Sequence, residues 1–257
     1  MNNMYILEAG INHFGDEKEA KYLFQNFLKS DASKITFMIQ TQNFYDKFEK
    51  KINFKLSSKF YESMLSEAHK FKKQVGLAVC DLKTAIEFQN LNFDFYKLLS
   101  ISIKDKKLIK YLNSKNKPVY ISTGVASDQD ITKCLKGFFK KKNLFLLHTP
   151  MSYESYDLNL NRIKYLKEKY KIKSGYSHHY KGSKAIEIIL PLKPDCIFIY
   201  IKGRKKRGRS FPDDGHALYF NELHNLFKEC ININEMLGLG NKANKKINIF
   251  NKVKINK

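Results

Sequence analysis

The order of elements along the chain predicts a single α/β domain, a (β/α)8 TIM barrel. Three observations point there. Short β-rich runs alternate with amphipathic helical stretches eight times. A strand that leads through a helix to the next strand builds a parallel sheet by right-handed crossovers. The chain has 257 residues, close to the roughly 250 that one such barrel needs. No Gly-rich dinucleotide fingerprint follows the first strand, because Gly10 and Gly15 lack the spacing. That weighs against an open, doubly wound sheet.

Each element is legible from its period. Tyr5 to Glu8 reads as the first strand, and Glu17 to Lys29 as the first helix, with Ala20, Leu23, Phe24 and Phe27 on one face. Lys34 to Gln40 is the second strand. Ser57 to Lys73 is the next helix, with Phe60, Met64 and Phe71 inward. The pairs that follow are Val75 to Val79 with Leu82 to Leu91, Phe95 to Leu99 with Lys104 to Asn113, and Pro118 to Ser122 with Asp128 to Phe139. Leu144 to His148 precedes Leu158 to Lys169, and Lys173 to Tyr176 precedes Ser183 to Leu190. Asp195 to Ile201 is the last strand and Phe220 to Met236 the last helix. Residues 1–237 are thus read as the barrel, and 238–257 as a weakly ordered tail rich in Lys and Asn.

Composition narrows the class. Apolar residues make up 43% of the chain, enough to fill a core. No run approaches the ~20 apolar residues of a membrane span. Met1 to Gly10 lacks a basic segment followed by a long apolar stretch, so a cytoplasmic protein is expected. Cys80, Cys134, Cys196 and Cys230 are far apart and form no CxxC pair, which fits buried reduced thiols. The net charge is +22, from 47 basic and 25 acidic residues. The lysines are spread along the chain among many Asn and Ile, which argues for a compositional bias rather than a nucleic-acid-binding patch. Only Gly203 to Arg209 (GRKKRGR) is dense, and it reads as a solvated loop or an anion-binding loop.

In this fold the site lies on the loops at the C-terminal ends of the strands. Those ends are polar here: Glu8, Asn12 and His13; Gln40 to Asn43; Cys80 and Asp81; Lys97, Ser100 and Ser102; Ser122 to Gly124; His148, Thr149 and Tyr153; Ser177, His178 and His179; Asp213, Asp214 and His216. Lysine, hydroxyls and histidines in one ring suit an anionic, oxygen-rich ligand. His178 and His179 could give imidazole nitrogens to a divalent metal.

The motifs at these ends resemble those of the sialic acid (N-acetylneuraminate) synthase family. LEAGINHFGD (Leu7 to Asp16) resembles its opening motif, IQTQ (Ile39 to Gln42) its second-strand motif, and YKL followed by Ser100 its fourth. KPVYISTGVAS (Lys117 to Ser127), LLHTPMSYES (Leu146 to Ser155), DLNL (Asp157 to Leu160), GYSHHYKG (Gly175 to Gly182) and FPDDGHAL (Phe211 to Leu218) follow in family order. The resemblance implies condensation of phosphoenolpyruvate with an N-acetylated amino sugar such as N-acetylmannosamine. The product would be a nine-carbon 2-keto acid for surface glycan synthesis, formed with the help of a divalent metal, manganese or magnesium. Lys97, Ser100 and Ser177 match phosphoenolpyruvate contacts, and His179 matches a metal histidine. Glu8, Gln40 and Tyr153 match residues lining the site, and Asp213 or Asp214 matches the acidic residue of the last motif. Glu8 and Lys97 are taken as the catalytic candidates, and His178 joins His179 as a metal candidate.

The sequence also departs from the family pattern. Met38 stands where a phosphoenolpyruvate-binding lysine is usual, Ala78 or Val79 replaces a threonine, and Met151 replaces an asparagine. The strand-8 motif that holds a second metal histidine reads Ile199, Tyr200, Ile201, with Ile201 at the histidine, and His178 replaces the Asp before His179. His178, given a turn in the chain, and the Arg204 to Arg209 cluster are the candidate replacements. The family's C-terminal antifreeze-like domain is expected to be missing. Partners implied are phosphoenolpyruvate, the amino sugar, and a second copy of the chain or another glycan-pathway enzyme. The alternative function is a catalytically inactive homologue that binds a sugar or a partner protein.

Overall fold

The computed structural model describes residues 4–48, 54–204 and 210–238. Eight strands are β1 (Tyr5–Gly10), β2 (Lys34–Ile39), β3 (Gln74–Val79), β4 (Phe95–Leu98), β5 (Val119–Ser122), β6 (Leu144–His148), β7 (Lys173–Ser177) and β8 (Cys196–Tyr200). They pair in parallel in chain order, and β1 pairs with β8 to close the barrel, with Glu8 opposite Tyr200. The expected (β/α)8 architecture is the one observed.

Helices cover the outside: α1 (Glu17–Lys29), α2 (Gln42–Phe48), α3 (Ser58–Lys70), α4 (Leu82–Glu87), α5 (Lys106–Ser114), α6 (Asp128–Leu135), α7 (Arg162–Tyr170), α8 (Lys184–Ile189) and α9 (Phe220–Leu237). Side-chain caps start several of them. Asp16, Ser57, Asp81 and Asp105 each accept a backbone N–H of the first turn, and Ser127 forms a capping box with Asp130. Helix α2 was not expected from the sequence. Its seven residues are held by the Thr41 hydroxyl at the Phe44 N–H and by burial of Tyr45. Helices α4 and α6 end before the predicted Leu91 and Phe139. Helix α7 starts at Arg162, after a left-handed residue at Asn159, rather than at Leu158.

Alternation along each strand divides the core in two. Outward residues such as Leu7, Ile35, Val79, Leu98, Ile121, Leu146, Ile199 and Ile201 pack against Leu23, Phe24, Phe27 and Met64 of the helices. Inward, Ile6, Phe95, Tyr120, Leu147, Cys196 and Phe198 fill the barrel. A side chain at Gly76 would collide with the Phe95 ring, so the glycine makes room for that plug. The plug forms a floor, and the polar residues one step further along the strands form the layer above it. Both sides of every strand are buried, which explains the near-continuous apolar runs in the sequence.

All four cysteines are free and buried, as expected. Among the described residues no helix is long and apolar enough to cross a membrane. Most of the basic cluster (205–209) and nearly all of the predicted tail (239–257) lie outside the described residues.

Candidate active site at the mouth of the barrel

The centre of the polar layer is a buried ion pair. Glu8 from β1 and Lys97 from β4 are 0% and 1% exposed, with Nζ 2.5 Å from Glu8 Oε2. Lys97 also donates to Ser177 Oγ of β7 at 3.1 Å and lies 4.7 Å from the centre of the Phe198 ring. Three residues singled out on separate strands therefore share one contact. A buried ion pair persists only when its geometry repays the desolvation of both charges. Here the Ser177 hydroxyl and the faces of Phe198 and Tyr200 surround the ammonium.

A second group sits where the loop after β8 folds back over the mouth. Asn12 ties it down: its amide donates to the Ile201 carbonyl at 2.8 Å, and its oxygen accepts the Asp213 N–H at 3.0 Å. This places Asp213 beside Gly10, where φ is +53° and a Cβ would lie 2.5 Å from Asp213 Oδ2. The approach requires glycine. Burial, with the charge of Glu8 adding to it, raises the Asp213 carboxyl to about 7. Its neighbour Asp214 points elsewhere, to a 2.7 Å ion pair with Lys202. Of the two aspartates, Asp213 lies beside Gly10 at the mouth and Asp214 pairs with Lys202.

Three rings complete the group. His179, Tyr200 and His216 are mutual neighbours, with centroids 5.2 Å (His179–Tyr200), 4.7 Å (Tyr200–His216) and 4.8 Å (His179–His216) apart. Burial, and then the charge of Lys97, holds the His179 imidazole well below its ordinary range. Burial pushes His216 down to about 4. Burial and the Glu8 carboxylate push the Tyr200 phenol well above its ordinary value. All three rings are neutral at pH 7. The Tyr153 hydroxyl reaches His216 Nδ1 at 3.3 Å, and its ring packs over Gly215.

Other predicted residues stand further out. The Gln40 amide touches Met38 Sδ at 3.2 Å and accepts from Cys80 Sγ at 3.5 Å. Ser100 is buried in a short turn after β4, beside Gly124. His178 belongs to the outer side of β7: its Nε2 is 2.7 Å from the Gly182 carbonyl and its ring lies against Tyr176. No turn brings it back beside His179. The pleat also revises the reading of β8. Ile201 packs in the outer layer, so the position that looks into the mouth is Tyr200. Met38 and Ala78 do line the mouth, in one apolar cluster with Ile11, Tyr45, Tyr200 and Ala217.

The sequence motifs single out neither Tyr200 nor His216 as a site residue. His216 was visible as a polar residue after the last strand, and the signal that could have raised it was its place three residues from Asp213. Several buried polar atoms in the group have no hydrogen-bond partner among the described residues: Glu8 Oε1, Asp213 Oδ2 and His216 Nε2. Each such atom costs about 1–3 kcal/mol unless a ligand, water or ion satisfies it. Among the described residues no three His, Cys, Asp or Glu side chains converge as a metal set. His179, His216 and Asp213 lie at the same mouth without forming such a set.

Buried polar residues of both signs gather at the C-terminal mouth of a closed parallel barrel, the end at which such barrels carry their sites. The chain belongs to the NeuB family, whose family model matches residues 18–242. It is 29% identical over 250 residues to an uncharacterized protein of Methanocaldococcus jannaschii, covering 92% of this chain and 72% of that one. It is 26% identical over 204 residues to the N,N'-diacetyllegionaminic acid synthase of Campylobacter jejuni, covering 70% of this chain and 61% of the enzyme. Among solved structures, the N-acetylneuraminic acid synthetase of Leptospira borgpetersenii in complex with citrate superposes with a TM-score of 0.82 at 23% identity. That match covers 95% of this chain and 88% of the synthetase.

Proposed function

We propose that this barrel condenses phosphoenolpyruvate with an N-acetylated amino sugar to give a 2-keto sugar acid. The observation that carries the reading is the Glu8–Lys97–Ser177 cluster at the base of the mouth, in a member of the NeuB family. Lys97 is a cation sealed from water, and its charge is available to an anion that displaces or shares Glu8. Ser177, on β7, and Ser100, in the turn after β4, add short donors. In the reaction the methylene carbon of phosphoenolpyruvate bonds to the aldehyde carbon of the sugar. Water supplies the oxygen of the new keto group, and inorganic phosphate leaves.

The protein groups divide the work. Lys97 and Ser177 hold the negative end of phosphoenolpyruvate. Asp213, protonated near neutrality, can give a proton to the aldehyde oxygen as it becomes an alkoxide. Tyr153, half exposed beside His216, supplies an aromatic face for the sugar. The divalent cation that the family resemblance implies, manganese or magnesium, would polarise the aldehyde as a Lewis acid, with His179 as the retained imidazole. Release of inorganic phosphate that depends on both substrates tests the proposal.

A second reading is a non-catalytic sugar- or partner-binding homologue. Met38 favours it, because an apolar side chain lines the mouth where a second cation would help to hold the anion. The same phosphate assay separates the two.

A further inference from the structure

We infer that the N-terminal end of the barrel, opposite the mouth, is a docking surface for an anionic lipid bilayer. The inference goes beyond the proposed reaction and does not need it to occur.

The mouth leaves most of the net charge of +22 unexplained. In a parallel barrel every connection from a helix to the next strand lies at the N-terminal end. Here those connections are 30–33, 71–73, 88–94, 115–118, 136–143, 171–172 and 190–195. Together they hold ten lysines, three aspartates and no arginine. Two of the aspartates are engaged, Asp94 with His69 at 3.0 Å and Asp195 with Lys167 at 2.9 Å. Lys73 turns inward onto the carbonyls of Phe27, Ser30 and Ala32. The other nine lysines are exposed or half-exposed. Lys72, Lys171 and Lys193 even occupy left-handed positions, with φ of +56°, +52° and +51°, where glycine is the unstrained residue. The cationic side chain is kept at each.

Two phenylalanines project from the same connections. Phe139 is 88% exposed and Phe71 57%. The turn that carries Phe139 is fixed: its N–H donates to Asn113 Oδ1 at 3.0 Å, and Lys140 Nζ donates to Asn116 Oδ1 at 2.9 Å. These bonds join 136–143 to 115–118, and a groove beside Phe139 is lined by Lys110, Lys117 and Lys140. The C-termini of the helices end here and favour cations, but they ask nothing of an exposed phenylalanine. Lysines around a projecting aromatic ring are the chemistry of an interfacial anchor, in which the ring enters the acyl boundary and the ammonium groups stay among anionic headgroups. A nucleic-acid surface draws on arginine for bidentate contacts to phosphates and bases, and these connections have none. A barrel lying on a bilayer by this end would hold its mouth toward the aqueous side.

The test sediments the full chain with vesicles of phosphatidylcholine alone, and of phosphatidylcholine with about 30% phosphatidylserine, in about 0.1 M salt. Wild type should partition onto the anionic vesicles at least about tenfold more strongly than onto the neutral ones. The triple variant Lys140→Gln, Lys141→Gln, Lys142→Gln should weaken that binding at least about tenfold, and so should Phe71→Ser with Phe139→Ser. Lys104→Gln with Lys181→Gln, on the loops at the mouth end, should stay within about twofold of wild type. All of these positions are exposed, and unchanged thermal melting confirms that each variant is folded. The chain has no tryptophan, so Phe139→Trp introduces a single indole, whose emission should shift to the blue on anionic vesicles. Binding to neither vesicle, or equal binding to both, would overturn the inference. So would undiminished binding by the phenylalanine variant, or indole emission that stays unshifted on bound protein; the face would then be a contact for polyanions such as RNA, read through charge alone.

Discussion

Removing the ammonium from the buried pair should cost stability in a way that depends on pH. In Lys97→Met, Glu8 stays fully buried, with Oε1 unpartnered and the Lys97 ammonium gone from Oε2. Keeping it charged there costs about 3–5 kcal/mol, the usual penalty for half of a broken buried pair. The alternative is to take up a proton. For an ordinary glutamate near 4.3, that costs about 1.36 kcal/mol for each pH unit above it, or about 3.7 kcal/mol at pH 7. At pH 5 the same step costs about 1 kcal/mol. The folded variant therefore binds a proton that its unfolded chain does not, and its stability rises as pH falls. Urea unfolding followed by far-UV circular dichroism should show a deficit against wild type of about 3–4 kcal/mol at pH 7, shrinking by about 2–3 kcal/mol at pH 5. Adding Glu8→Gln should abolish that pH dependence. A deficit that is small at pH 7, or the same at both pH values, would refute the argument that Lys97 compensates a buried carboxylate.

Further outcomes follow from the same geometry. Because the Asp213 carboxyl is raised from 3.8 to about 7 in the folded chain, its contribution is fully present below about 4 and lost as pH rises through 7. In chelator, Asp213→Asn should flatten the stability profile over that window and gain up to about 4 kcal/mol at pH 8, read by urea unfolding. Gly10→Ala sets a Cβ against Asp213 Oδ2 at a left-handed φ and should destabilise by about 1–2 kcal/mol, seen as a lowered thermal midpoint. Met38→Lys adds a cation to the mouth and should tighten phosphoenolpyruvate binding about tenfold by calorimetry, since a charged hydrogen bond contributes about 1.5–3 kcal/mol.

Much of the barrel could be read from the chain because each strand has a local signature. Apolar runs bounded by polar ends mark β1 to β8, and helix α1 was placed from Glu17 to Lys29 as observed. Helix ends were less legible. Stops after Glu87 and Leu135 depend on turns whose cost is set by packing against neighbouring helices. The short helix α2 depends on burial of Tyr45, a tertiary contact with no periodic signal. In the site, Glu8, Lys97 and Ser177 were found because strand ends converge in any closed barrel. The meeting of His216 with His179 was not legible, since it depends on how the loop after β8 is pinned by Asn12 across 201 residues of sequence. At β8 the residue that faces the mouth is Tyr200, one before the Ile201 that the motif match points to. In a strand a single step moves a side chain from the helix layer to the barrel interior, and motif matching alone does not fix that parity.

The central claim is tested most directly by phosphate release. Chelator-treated protein would be supplied with Mn2+, phosphoenolpyruvate and N-acetylmannosamine, or related N-acetylated amino sugars, and inorganic phosphate followed with time. The account predicts release that requires both phosphoenolpyruvate and a sugar, and that is lost in Lys97→Met under conditions where the variant is folded. Absence of release with every sugar, or release that continues unchanged in Lys97→Met, would contradict it.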